Sequence, residues 1–288
     1  MTPAELLWKW LTKRLNQDTL KWLENCVRKI QNDNLDADIF LFFSLAPKKT
    51  NKHLLSLDAS ESQQASFARA GWNPQNWTIE QAARLYILLS SAFDANQFLR
   101  RVDQLFNTAD VAELVTLYQG LHLYPNEEQF RLRAAEGVRT NMRVVFEAVA
   151  HHNPYPAEQL PEGAWNQMVL KALFVGSPLH PIIGLDQRVN KNLAQMLSDY
   201  AHERWSAGRS VSPELWRCVG PYATGPLLAD VERVLEKGTQ TERAAAMLAL
   251  KVSPDLEARR MFNQSPGLAS TITSGALSWQ TLESITFA

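Results

Sequence analysis

Leu227-Leu228-Ala229-Asp230-Val231-Glu232-Arg233-Val234-Leu235-Glu236-Lys237-Gly238-Thr239-Gln240-Thr241-Glu242-Arg243-Ala244-Ala245-Ala246-Met247-Leu248-Ala249-Leu250 reads as two helices joined at a glycine. Leu228, Val231, Val234 and Leu235 return every three or four positions, which puts them on one face of a helix that ends near Gly238. Arg243 to Leu250 continues as a second helix whose run of alanines lets a neighbouring element approach closely. Such a pair buries its apolar faces by packing helix on helix.

The same periodicity runs through the rest of the chain. Leu6, Leu7, Trp10, Leu11 and Leu15 form one stripe, and Leu20, Leu23, Val27 and Ile30 form the next. Asn32 to Asp38 interrupts the pattern. Ile39 to Leu45 is short and apolar enough for a strand, but no second strand-like run lies nearby to pair with it, so a buried helix is expected. Asp58 or Ser60 can cap a helix ending near Gly71, Gly71-Trp72-Asn73-Pro74 reads as a turn, and Thr78 with Gln81 forms a capping box opening a helix through Ser91. Further helices are expected at 94–106, 109–120, 126–150, 162–175, 190–207, 213–219, 225–237, 240–250 and 254–262. The tail from Gln264 is rich in Ser, Thr and Gly, with Trp279, Leu282 and Ile285 spaced for one last docked helix.

Prolines 125, 154, 156, 161, 178, 181, 213, 221 and 226 all fall between these segments or at their starts, where a missing amide proton does least harm. Many helices with brief connections resemble an α-solenoid more than a four-helix bundle. The expected fold is all-α, a helix-pair solenoid of the HEAT-like α/α superhelix type. It would run as one elongated domain over 1–288, with N-terminal helices at 1–70, a central region at 71–222 and HEAT-like helices at 223–288. A generic helical domain is the alternative, because the pattern at 227–250 has no second clear copy.

Lys and Arg number 29 against 30 for Asp and Glu, so no net positive field draws the chain onto phosphate backbones, and no nucleic-acid partner is expected. The two cysteines, Cys26 and Cys218, are too few for a disulfide framework or a zinc cluster. Lys9, Lys13 and Arg14 break the first apolar stretch, so no secretory signal is expected, and no uncharged apolar run reaches the ~20 residues of a membrane span. A cytoplasmic location is the resulting expectation. The first helix sets those three basic residues opposite an apolar stripe. It either lies peripherally on the inner membrane or docks its stripe on the next helix.

No phosphate-binding glycine loop and no GxSxG elbow occurs. His202 begins a His-Glu pair, but Ser206 stands where a helix-borne zinc site would place its second imidazole. No metal or cofactor is expected. Polar residues concentrate instead between Arg139 and Arg217. Asp199 and His202 share one helical turn and are the candidate acid/base pair, a carboxylate tuning an imidazole near neutral pH; such a pair can equally tie helices together. His180, Asp186, Arg188 and Asn190 lead into that helix, whose first turn can seat an anion or simply be capped. Arg139, Asn141, Trp165, Asn166, Gln167, Lys171, Glu203 and Arg204 complete the candidate ligand-binding set. Glu136, Arg139, Arg143 and Glu147 are spaced as a salt-linked helix face, while the adjacent His151 and His152 point apart and make a poor metal site.

Six segments carry a family likeness: Thr108-Ala109-Asp110-Val111-Ala112-Glu113-Leu114-Val115, Ala135-Glu136-Gly137-Val138-Arg139-Thr140-Asn141-Met142, Asn153-Pro154-Tyr155-Pro156, Trp165-Asn166-Gln167-Met168-Val169-Leu170-Lys171, Gly184-Leu185-Asp186-Gln187-Arg188-Val189-Asn190 and Asp199-Tyr200-Ala201-His202-Glu203-Arg204-Trp205. In this order, over roughly residues 70–220, the chain resembles the EboA family. The resemblance implies a cytosolic member of an ebo gene cluster, associated with moving a metabolite precursor from the cytosol towards the periplasm. It also implies partners among the other ebo-cluster proteins, which include a UbiA-like membrane prenyltransferase, and a small-molecule metabolite. It supplies no catalytic residues. The expected function is therefore a non-catalytic adaptor or metabolite-binding protein using a surface around Trp165 to Trp205. The alternative is an enzyme in which His202 and Asp199 move a proton.

Overall fold

The structure, a computed structural model, describes residues 1–286, with side chains through Leu282; the expected docking of Ile285 lies outside the described side chains. Among the described residues every regular element is helical, apart from one isolated antiparallel bridge between Leu54 and Thr78. The helices segregate into two compact units, Met1–Leu160 and a second beginning at Pro161.

The first unit holds α1 (Pro3–Thr12), α2 (Gln17–Asp33), α3 (Asp36–Lys49), α4 (Ala59–Ala68), α5 (Ile79–Leu89), α6 (Ala95–Thr108), α7 (Val111–Gln119), α8 (Arg131–Arg139), α9 (Arg143–Ala150) and α10 (Tyr155–Gln159). A capping box between Thr2 and Glu5 starts α1, and Leu6, Leu7, Trp10 and Leu11 are all buried as the helix packs on α5. The apolar stripe is thus committed to the core and is not offered to a membrane. Arg14 follows α1 and donates to the carbonyls of Trp10, Leu55 and Ser56 and to both oxygens of Glu61, which also receives Lys13 at 2.7 Å. Burial alone would raise the Glu61 carboxyl. The hydrogen bonds from Arg14, Lys13 and the Asp58 amide outweigh it and pull the group from its ordinary 4.5 to about 2.

The apolar run Ile39 to Leu45 lies inside α3, as the absence of a pairing strand predicts. Asp58 is the cap of α4, and Thr78 with Gln81 closes the expected box at the start of α5. Gly71 has φ +75°, and a Cβ there would meet Pro154 Cβ at 2.9 Å, so this turn needs glycine for both backbone and space. The single helix expected at 126–150 does not form. A 3-10 turn at Glu127–Phe130 leads to α8, and the chain breaks at Thr140–Met142 before α9. Thr140 Oγ1 accepts the Met142 amide at 3.2 Å, a local bond that competes with the helical ladder. The break divides the proposed charged face: Arg143 pairs with Glu147 at 2.7 Å, and Glu136 with Arg133 at 3.0 Å.

The second unit holds α11 (Glu162–Phe174), α12 (Lys191–Ser206), α13 (Leu215–Val219), α14 (Pro226–Lys237), α15 (Gln240–Val252), α16 (Leu256–Asn263), α17 (Pro266–Thr273) and α18 (Trp279–Thr286). The pair read first from the sequence is α14 and α15, packed on each other, with Thr239 and Glu242 forming a capping box at the start of α15. The alanines do what small residues permit. A Cβ on Gly220 would lie 2.9 Å from Ala249 Cα, so the turn after α13 rests on the α15 backbone itself. Leu282 of α18 is buried and docks on α15. Burial pushes the thiols of Cys26 and Cys218 up to about 12, so both are packed as apolar groups instead of poised as nucleophiles.

Candidate functional site

The polar band divides between the units. Arg139 ends α8 and Asn141 sits in the break after it, both exposed, in the first unit. The other candidates belong to the second unit, where Trp165, Asn166, His180, Asp186, Arg188 and Asn190 lie in or against the long connection Val175–Asn190 between α11 and α12.

That connection has little regular structure, so its buried backbone groups need side-chain partners. Glu214, itself buried, supplies two of them: its oxygens accept the amides of Leu179 and His180, each at 2.9 Å. The same carboxylate stands 3.4 Å from His180 Nδ1. Arg217 on α13 forks onto Asp186 at 2.7 and 2.8 Å, a bidentate clamp on the middle of the connection. At its end, Asn190 caps α12 by accepting the Leu193 amide, and its side-chain amide is exchanged reciprocally with that of Asn166 on α11 at 3.1 and 2.8 Å. The Arg188 guanidinium lies 4.8 Å from the centre of the buried Trp165 ring. Burial lowers the pKa of Arg188, opposed by the charge of Glu162, and burial also lowers that of Lys171. Gln167 is exposed on α11.

The proposed acid/base pair is corrected by the structure. Asp199 is exposed and accepts from Gln195, one turn back on its own helix. The partner of His202 is Asp230 on α14, at 2.6 Å from Nε2, and Asp230 also accepts the Ser198 hydroxyl at 2.5 Å. Spacing within α12 identified the imidazole but not a carboxylate brought in by another helix. The His202 ring leans on Trp205, which stacks on Trp216 at 5.9 Å and carries Arg233 at 4.1 Å. Glu203 is exposed beside them.

An open cavity of about 480 Å³ lies elsewhere in the second unit, between the C-terminal ends of α11 and α12, the loop Ser210–Pro213 and the start of α15. Leu173, Val211 and Pro213 make its apolar wall, and Tyr200, Arg204, Ser212, Thr239 and Glu242 its polar one. Of the sequence candidates only Arg204 reaches it. Sequence reading passed over Glu214, Asp230, Arg233 and Glu242. Of these only Glu242 left a local signal, standing three residues after Thr239 as a capping-box acid. Among the described residues no group of three His, Cys, Asp or Glu side chains is placed to hold a metal ion, and no helix is long and apolar enough to cross a membrane.

No curated protein and no solved structure matches the chain. A family model described as metabolite traffic protein EboA matches residues 3–220, a span that takes in the N-terminal helices as well as the six central segments. The chain therefore belongs to the EboA family of metabolite traffic proteins.

Proposed function

We propose that the chain is a non-catalytic helical protein that binds a small metabolite in the second unit and hands it on, acting in the cytoplasm to help a precursor towards the periplasm. The observation that carries this reading is the open cavity beside α12. Its volume falls in the range of about 300–1,000 Å³ typical of small-molecule sites, and it combines an apolar wall with a few polar groups. The family description as a metabolite traffic protein fits the same role. Trp165, Asn166, His180, Asp186, Arg188 and Asn190 are engaged at the Val175–Asn190 connection and the α11–α12 junction. The architecture proposed for this role is a stack of helix pairs, of which α14 with α15 is the best-formed example.

The direct test is thermal stabilisation of the purified protein by fractionated cell metabolites, since a ligand of the native state raises its melting temperature. Stabilisation by one fraction, lost on substituting Arg204, supports the reading; unchanged melting in every fraction removes it. Retention of other ebo-cluster products, including the UbiA-like prenyltransferase, in a pull-down at moderate salt tests the adaptor role.

A second reading, an enzyme working through His202, is favoured by one observation: the imidazole does have a close carboxylate, Asp230 instead of Asp199. In a reconstituted pathway, His202→Ala would then abolish turnover while leaving the fold intact.

A further inference from the structure

Arg204 and Glu242 face the same cavity from different helices with opposite charges, yet they are not paired with each other. Arg204 commits only Nε, which donates to the Ser210 carbonyl at 3.0 Å; its two Nη groups have no protein partner. Glu242 commits one oxygen to the Thr239 amide at 2.7 Å as part of the capping box, which leaves Oε1 without a protein partner. Ser210 and Ser212 also line the wall. Two charges that share a concave space and do not neutralise one another are matched by a molecule carrying both complementary charges.

We infer that this cavity takes a zwitterionic small molecule, one with a carboxylate, an ammonium and an apolar body. The carboxylate is received by the Arg204 Nη groups, a planar donor fork suited to it, with Ser212 able to donate as well. The ammonium meets Glu242 Oε1. The apolar body lies along Leu173, Val211 and Pro213. A purely anionic ligand would sit against Glu242 and a purely cationic one against Arg204, so the cavity selects for both charges together. This inference rests on the metabolite-binding reading and names the chemical class of its ligand.

Calorimetric titration of the full chain tests it with free L-leucine, L-phenylalanine and 6-aminohexanoate as zwitterions, against N-acetyl-L-leucine, which lacks the ammonium, and L-leucine methyl ester, which lacks the carboxylate. Saturable binding of at least one zwitterion with Kd below about 1 mM is expected, with both blocked leucines weaker than leucine by about tenfold or more. Arg204→Gln and Glu242→Gln should each weaken the zwitterion by about tenfold or more, because each removes a charged partner. The glutamine at 242 keeps an acceptor for the Thr239 amide, so a lost fold does not imitate lost binding. Equal affinity for leucine and N-acetyl-leucine, or indifference to Glu242→Gln, overturns the zwitterion while leaving a metabolite site standing. Absence of binding by all three zwitterions also overturns it. The metabolite-binding reading itself falls only if the cell fractions fail to stabilise the protein as well.

Discussion

Glu214→Gln isolates what holds the Val175–Asn190 connection. The carboxylate accepts two consecutive amides, that of the buried Leu179 through one oxygen and that of the part-buried His180 through the other, both at 2.9 Å. Glutamine has the same shape but one acceptor. Whichever way its amide turns, one backbone N–H keeps a partner and the other faces an NH2 group. The kept bond weakens because its acceptor is no longer charged, and hydrogen bonds to charged groups contribute about 1.5–3 kcal/mol against about 0.5–1.5 for neutral ones. The orphaned amide adds a desolvation cost, about 1–3 kcal/mol at Leu179, which has no access to water, and less at the more exposed His180. Together these give a loss of about 2–3 kcal/mol. The chain has two units and need not unfold in one step. The sharper assay is therefore residue-resolved hydrogen exchange, in which the Leu179 and His180 amides should lose roughly two orders of magnitude of protection. Urea unfolding of the second unit should shift in parallel. A change under about 0.5 kcal/mol, with protection of both amides retained, would refute the claim that this carboxylate pins the connection.

Acidification should expose the Glu61 cluster. Its folded pKa, about 2, lies below the ordinary 4.5, so its stabilisation is complete above 4.5 and is lost as pH falls towards 2. The full gap corresponds to roughly 3 kcal/mol, and urea titrations from neutral pH downwards should show this loss flattened in Glu61→Gln. Arg101 has no solvent exposure and holds Asp36 at 2.7 Å, the Ser91 carbonyl and both oxygens of Asn34; Arg101→Met should cost about 3 kcal/mol in equilibrium unfolding by orphaning these acceptors. Gly71→Ala should cost about 1–3 kcal/mol by thermal melting, from its positive φ and the contact with Pro154, and a neutral outcome would mean the turn is not held as described. His202→Ala removes an exposed ring and should cost less than about 1 kcal/mol, so a large loss would assign His202 a structural role.

The helices were legible because apolar spacing is a local property, and α1, α3 and the α14–α15 pair formed where that spacing put them. The break at Thr140–Met142 was not, although its cause is also local. Val138 and Val145 keep an apolar rhythm across it, and the competing bond from the Met142 amide to Thr140 Oγ1 leaves no trace in that rhythm. The burial of Arg101 was not legible for the opposite reason. Arg101 occupies a core position of α6 beside Phe98, Val102 and Leu105, and a sequence pattern assigns a charged residue to the solvated face. Its burial depends on the αL turn at Asn34, far away in sequence, presenting oxygens to be satisfied.

The polar candidates of the sequence likewise find partners brought from other helices. Residues such as Asp186, Asn190 and Asn166 look functional because polar side chains gather there, yet their bonds go to other groups of the protein: Asp186 to Arg217, Asn166 to Asn190, and Asn190 also to the Leu193 amide. The density of polar residues along the sequence therefore marked where the connection between α11 and α12 is tied down. A binding surface has the converse requirement: polar groups left without protein partners, facing space that a ligand can fill. Arg204 and Glu242 meet it with ordinary residue types drawn from α12 and α15. No spacing rule joins them, since what they share is a cavity wall. Substituting Asp186 or Asn190 should thus disturb the fold before it disturbs a ligand, and substituting Arg204 or Glu242 the reverse.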